Sequence, residues 1–139
     1  MVYPRLGCCK DAANLLEKET ELPVLIFFRM GFFAALIVIS VLALVPLEDT
    51  SLTTGWDKLN HVLAFAVLLF LLDSAYPSQR LWQLKIPVLL FYAFLIEVIQ
   101  AFIPYREFSL LDIVADVVGL GLYLLLRSRL LYWQRVFSG

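Results

Sequence analysis

The chain alternates long apolar runs with short polar breaks, and the runs share one length. Four windows, residues 22–45, 56–76, 83–103 and 109–131, are almost purely apolar. Each is close to the roughly 20 apolar residues an α-helix needs to cross a bilayer. Pro46, Thr50, Ser51, Thr54 and Gly55 punctuate the first break, Pro77 and Ser78 the second, and Pro104 the third. The pattern predicts an all-α fold, an integral membrane four-helix bundle. Residues 1–21 form a polar N-terminal segment, 22–131 a single four-transmembrane domain, and 132–139 a short tail. The segment KDAANLLEKETEL reads equally as an amphipathic helix on the membrane surface or as a frayed tail. No apolar stretch precedes the first window, so the first span is expected to serve as an uncleaved signal.

Composition agrees with the pattern. Of the 139 residues, 62% are hydrophobic and 17% charged, and the mean hydropathy is +0.86. A soluble domain is nearer to about half apolar and about a quarter charged. The formal net charge of −1 hides a strong asymmetry. With four spans, Arg5, Lys10, Lys18, Arg29, Arg80, Lys85, Arg127, Arg129 and Arg135 fall on the side of the termini, and only Lys58 and Arg106 on the other. Cytoplasmic loops carry the excess of Lys and Arg, so both termini are expected in the cytoplasm. The basic residues are dispersed over juxtamembrane sites, which gives no nucleic-acid surface. Cys8 and Cys9 are adjacent and on the reducing side, so no disulfide is expected. With a lone histidine far along the chain they make no zinc-type set.

The polar residues inside the spans gather toward the outward half. Asp57, Lys58, Asn60 and His61 open the second span, Glu97 and Gln100 close the third, and Asp112 and Asp116 open the fourth. Glu97 lies seven residues before Pro104 and Asp116 seven after Ser109, which at about 1.5 Å per residue puts each roughly 10 Å below the edge of its helix. Asp57 and His61 are four apart, Glu97 and Gln100 three apart. Asp112, Ala115, Asp116 and Gly119 form one helical stripe of acids and small residues. Small residues let helices approach, and polar ones turn to the bundle interior. Three helices are therefore expected to share one outward-opening pocket. A lone charge at mid-membrane costs about 2.5–3.5 kcal/mol even on a lenient insertion scale, so such residues are functional candidates by default. Lys58, His61 and Arg106 are the available cations. The inward half shows no comparable set: Asp73 stands alone, and Ser74, Tyr76 and Pro77 place it at the interface. The first span reads as structural, with Gly31, Ala34 and Ala35 as its packing face and Arg29 reaching back to the inner interface.

Two blocks carry a resemblance. DKLNHVLAF at 57–65 resembles the D-K-x-x-H-x-x-x-[FY] opening of the VanZ-like family. EVIQAFIPYREFSLLDIVADVVG at 97–119 resembles its second signature, E-x-x-Q-x-x-x-P-x-R-x-x-x-x-x-D-[IV]-x-x-N-x-x-G, with Asp116 where the family has Asn. The resemblance covers about residues 20–131. It implies a small multi-pass protein of the bacterial inner membrane, in a family whose name-giving member is associated with low-level teicoplanin resistance. The residues it carries over are Asp57, Lys58, His61, Glu97, Gln100, Arg106, Asp112 and Asp116.

Three functions follow as expectations. The first is a membrane enzyme acting on an envelope lipid or glycolipid at the outer leaflet. In it His61 is general acid or base oriented by Glu97 or Asp112, and Arg106 and Lys58 hold a phosphate. Asp57, Gln100 and Asp116 complete substrate binding, and a divalent metal bridging Glu97, Asp112 and Asp116 is an option. The second is an accessory protein that binds a headgroup or a partner without chemistry. The third, disfavoured by the one-sided cluster, is a proton-coupled transporter. No G-x-S-x-G or H-E-x-x-H motif is present, and the sequence specifies neither a cofactor nor an oligomeric state.

Overall fold

The structure, a computed structural model, describes residues 6–44, 54–104 and 109–137; for 6–21, 54–57, 130 and 132–137 the backbone course alone is described. The described residues are helical with short connections and contain no strand. Helix α1 spans Leu6–Leu44, α2 spans Thr54–Ala75, a π-helical turn covers Leu81–Lys85, α3 spans Ile86–Gln100 and α4 spans Leu110–Phe137.

Three stretches are long and apolar enough to cross a membrane: Leu22–Leu44, Lys58–Ala75 and Leu81–Gln100. Helix α4, with 28 residues, also has the length, but it carries Asp112, Asp116 and Arg127 in its apolar run. The polar segment before residue 22 is helical from Leu6 and continues without a break into the first span, through Pro23. The helix at the other terminus likewise extends past the apolar window to Phe137.

The third span depends on the π turn. Helix α3 alone has 15 residues, about 22 Å at 1.5 Å per residue and short of a bilayer's hydrocarbon core of about 30 Å. Pro87, in its first turn, has no N–H to return to the preceding carbonyls. The chain widens there instead, and the Ile86 N–H bonds the Leu81 carbonyl five residues back. The span thus starts at Leu81, and Lys85 is delivered into the interior, 1% exposed.

Helix α2 is the centre of the bundle. It packs most extensively on α4 and then on α1, and α3 leans on both α2 and α4. The core is made of Phe32 from α1, Phe65, Leu68, Leu69 and Leu72 from α2, Leu89 and Ala93 from α3, and Leu120 from α4. Outside it the molecule is apolar as well: Phe27, Met30, Phe33, Ile37, Phe91, Phe94 and Leu125 are exposed. Soluble monomers rarely leave such contiguous patches uncovered, so this is a protein whose outer surface faces lipid. On α1, Phe32, Ala35, Leu36 and Ile39 face the core, with Gly31 against Leu71. Ala34, expected in the packing face, is exposed, because it lies a quarter turn or more away from the row Phe32, Ala35, Leu36 and Ile39.

Helix α4 comes close against α2 at Gly119. A Cβ there would lie 2.3 Å from the Val62 carbonyl oxygen of α2, so only glycine allows this approach. Gly121, two residues on, has open space around it. Gly119→Ala is expected to push α4 off α2 and to destabilise the protein by about 1–3 kcal/mol, the usual range for overpacking. Gly121→Ala should be neutral or gain up to about 1 kcal/mol from helix propensity. Unfolding of both variants in mixed micelles by denaturing detergent checks the contrast.

Candidate polar site between the helices

The bundle has a far end, where α1 and α3 finish and α2 and α4 begin, and a near end on the side of the termini. Polar side chains gather at both.

At the far end the predicted residues come together from three helices. Asp116, 1% exposed, accepts or shares a hydrogen bond with His61 Nδ1 at 2.9 Å. Lys58 Nζ lies 3.7 Å from Asp112 Oδ1. Glu97, 0% exposed, accepts a hydrogen bond at Oε2 from the backbone N–H of Ser109, at 2.9 Å. That contact has a local reason. Ser109 precedes α4, and its carbonyl accepts the first bonds of the helix, from Asp112 and Ile113. In a capping box the acid three residues on would reach back to the amide of the cap residue. Here Glu97, from α3, takes that amide, and the side chain of Asp112 turns to Lys58 on α2. Gln100 donates from Nε2 to the Ala43 carbonyl at the end of α1, at 2.9 Å. The two residues that share a face of α3 therefore serve different neighbours.

Two buried oxygens of this cluster, Glu97 Oε1 and Asp112 Oδ1, have no hydrogen-bond partner. One ligand atom each of His61, Glu97 and Asp112 lies within 4.8 Å of the others. This trio differs from the bridging set expected from the sequence, because Asp116 is turned to the imidazole rather than to the other acids.

A cavity of about 330 Å³ adjoins the cluster. His61, Asn60, Gln100, Asp116 and Tyr92 form its polar side, and Ile39, Leu42, Phe65 and Ile96 its apolar side. The first span, expected to be structural, thus lines the cavity. It also holds Tyr92 in place: Ser40 Oγ lies 2.8 Å from the Tyr92 hydroxyl and donates to the Leu36 carbonyl. Two expected members, Arg106 and the side chain of Asp57, lie outside the described residues.

The near end corrects the reading of Asp73 as a stray acid at the interface. Asp73 is the hub of a second polar cluster. Lys85 Nζ bonds its Oδ1, while the Tyr123 hydroxyl at 2.7 Å and Arg127 Nε at 2.8 Å both donate to Oδ2. Beside it, Arg29 lies 4.8 Å over the Tyr76 ring and donates from Nε to the Ala75 carbonyl at 3.4 Å, closing the last turn of α2. Lys85, Tyr123 and Arg127 were not singled out in the sequence, yet a signal was there. The α4 stripe of Asp112, Asp116 and Gly119 continues at helical spacing through Tyr123 to Arg127. The two clusters are opposite ends of one polar face.

The chain matches no family model, no curated protein and no solved structure.

The near-end cluster gives a stability prediction. Asp73→Ala leaves the Lys85 ammonium buried without its carboxylate, and breaking a buried pair from one side costs about 3–5 kcal/mol. The double variant Asp73→Ala with Lys85→Met should recover most of that loss. Thermal unfolding in detergent, monitored by helical circular dichroism, measures both.

Proposed function

We propose that this chain is a VanZ-like protein of the bacterial inner membrane, with four spans and both termini in the cytoplasm, and that its outward-facing polar pocket binds an envelope lipid or glycolipid headgroup. The observation that carries this reading is the two-sided cavity at the far end. An amphiphile has an acyl part and a polar part. Ile39, Leu42, Phe65 and Ile96 suit the first, and His61, Asn60, Gln100 and Asp116 the second. Charge refines the class. Glu97, Asp112 and Asp116 outnumber Lys58 and His61 among the described groups, so a headgroup rich in donors, such as sugar hydroxyls or an amine, is favoured over a bare phosphate.

Orientation rests on the distribution of Lys and Arg, nine of eleven on the side of the termini. Helix α4 is the fourth span on its length and on its packing against α2. Its acids do not oppose this, since they face the bundle and have partners there. A transporter would need the pocket to open to both sides, and the cavity is lined by far-end residues, while at the near end Asp73 is ion-paired with Lys85 and Arg127. Whether the bound lipid is also transformed turns on His61, whose Asp116 partner gives it the orientation of a general acid or base. A link to low-level glycopeptide resistance is what the family resemblance implies.

Two measurements check the reading. Green fluorescent protein fused after Gly139 should fluoresce, and alkaline phosphatase fused at the same point should be inactive; the reverse would invert the topology. Native mass spectrometry of the purified chain in mild detergent should show a co-purified phospholipid or glycolipid. Ala64 lines the cavity, and Ala64→Leu, which adds bulk there without removing a polar group, should lose that lipid while remaining folded. Equal retention by both proteins would overturn the headgroup reading.

A further inference from the structure

We infer that the far-end cluster is a divalent-cation site in which His61, Glu97 and Asp112 supply the ligands and Asp116 holds the histidine in place. The three ligands come from three different helices, α2, α3 and α4, and one donor atom of each lies within 4.8 Å of the others. Donors about 2.0–2.2 Å from one ion stand roughly 3–3.6 Å apart, so binding requires only a small closure of side chains.

A second, independent observation points to a ligand. Glu97 is fully buried, its Oε2 is engaged by the Ser109 amide, and its Oε1 has no hydrogen-bond partner. Asp112 Oδ1 is in the same condition, with the Lys58 ammonium at 3.7 Å, beyond hydrogen-bond distance. Buried carboxylate oxygens are normally bonded, and each one left without a partner calls for an explanation such as an ion. A cation of charge two would satisfy both oxygens and neutralise the two carboxylates.

The fourth member of the cluster completes the arrangement. Asp116 Oδ1 sits 2.9 Å from His61 Nδ1. A carboxylate accepting the Nδ1 proton makes Nε2 the lone-pair nitrogen and fixes the ring. Metal-bound histidines are held in this way. One imidazole with two carboxylates suits zinc or manganese rather than calcium or magnesium, which prefer all-oxygen sets. Three protein ligands leave a coordination position open. The site stands on the ligand geometry. Its use, presenting an ion to a hydroxyl or phosphate oxygen of a headgroup, rests on the reading proposed above.

The experiment uses the full chain in detergent, with no added lipid and an affinity tag that contains no histidine. Cys8→Ser and Cys9→Ser remove the thiolates at the other end of the protein. After stripping with a chelator, Zn²⁺ and Mn²⁺ are each titrated by calorimetry, and the retained metal is counted by elemental mass spectrometry after desalting. One equivalent per chain of either ion is expected. Glu97→Gln and His61→Gln should abolish stoichiometric retention, and Asp116→Asn, which touches no metal, should weaken binding by roughly 10–100-fold. If Glu97→Gln fails to fold, His61→Gln, at a partly exposed position, and Asp116→Asn, which keeps the size of the side chain, decide the matter. Absence of stoichiometric binding of both ions by the parent protein, or equal affinity in the folded variants, overturns the inference. Because no lipid is added, an ion retained by a chain that holds no lipid in native spectra would sink the headgroup reading and leave the cation site standing.

Discussion

The far end of this protein depends on how closely α4 can lie on α2. Gly119 brings the α4 backbone against the Val62 carbonyl, a separation at which a single methyl group would collide. His61 is the residue before Val62, and Asp116 is one turn before Gly119. The close approach is therefore what sets the imidazole at hydrogen-bond distance from the carboxylate. It also brings the start of α4 under the end of α3, where Glu97 takes the Ser109 amide. Without the glycine the acids of α4 would stand too far from α2 to be paired, and a charged residue in an apolar helix is costly unless paired or hydrated. Packing and electrostatics are one constraint here: the smallest residue in the stripe is what makes the acidic ones tolerable.

The same polar face of α4 runs the length of the bundle and meets two different environments. At the near end, Asp73 receives Lys85, Tyr123 and Arg127, and both of its oxygens are bonded. This is a closed arrangement, and it ties α2, the π turn and α4 into a fixed geometry below the core. At the far end the carboxylates exceed the cations, two oxygens have no hydrogen-bond partner, and a cavity of about 330 Å³ adjoins them. Buried polar groups that are fully satisfied rigidify a fold, whereas partly satisfied ones carry a free-energy cost that a ligand can offset. The asymmetry between the ends is why the far end, and not the near end with its paired Asp73, is read as the place where something binds.

Much of this was legible in the sequence, for identifiable reasons. The helical fold and the membrane class follow from the length and spacing of apolar runs, a local property of the chain. The convergence of His61, Glu97, Gln100, Asp112 and Asp116 was legible from helical spacing together with the cost of charge in an apolar helix. Pairings were not legible. That Glu97 would engage a backbone amide rather than a cation depends on where α4 starts relative to α3. That Asp116 would face His61 rather than the other acids depends on the depth of the Gly119 contact. Asp73 looked solitary because its partners lie 12, 50 and 54 residues away in sequence.

What the sequence determined by itself is the set of helices, their apolar outer faces and the polar stripes they had to turn inward, since each is fixed by composition at a helical repeat. What only the tertiary structure decided is which polar atom meets which. Hydrogen bonds and ion pairs act over about 3–4 Å, and such distances between residues far apart in the chain are set by the docking of one helix on another. In this protein a glycine and a proline set that docking. Gly119 lets α4 down onto α2, and Pro87 widens the turn that carries Lys85 to Asp73.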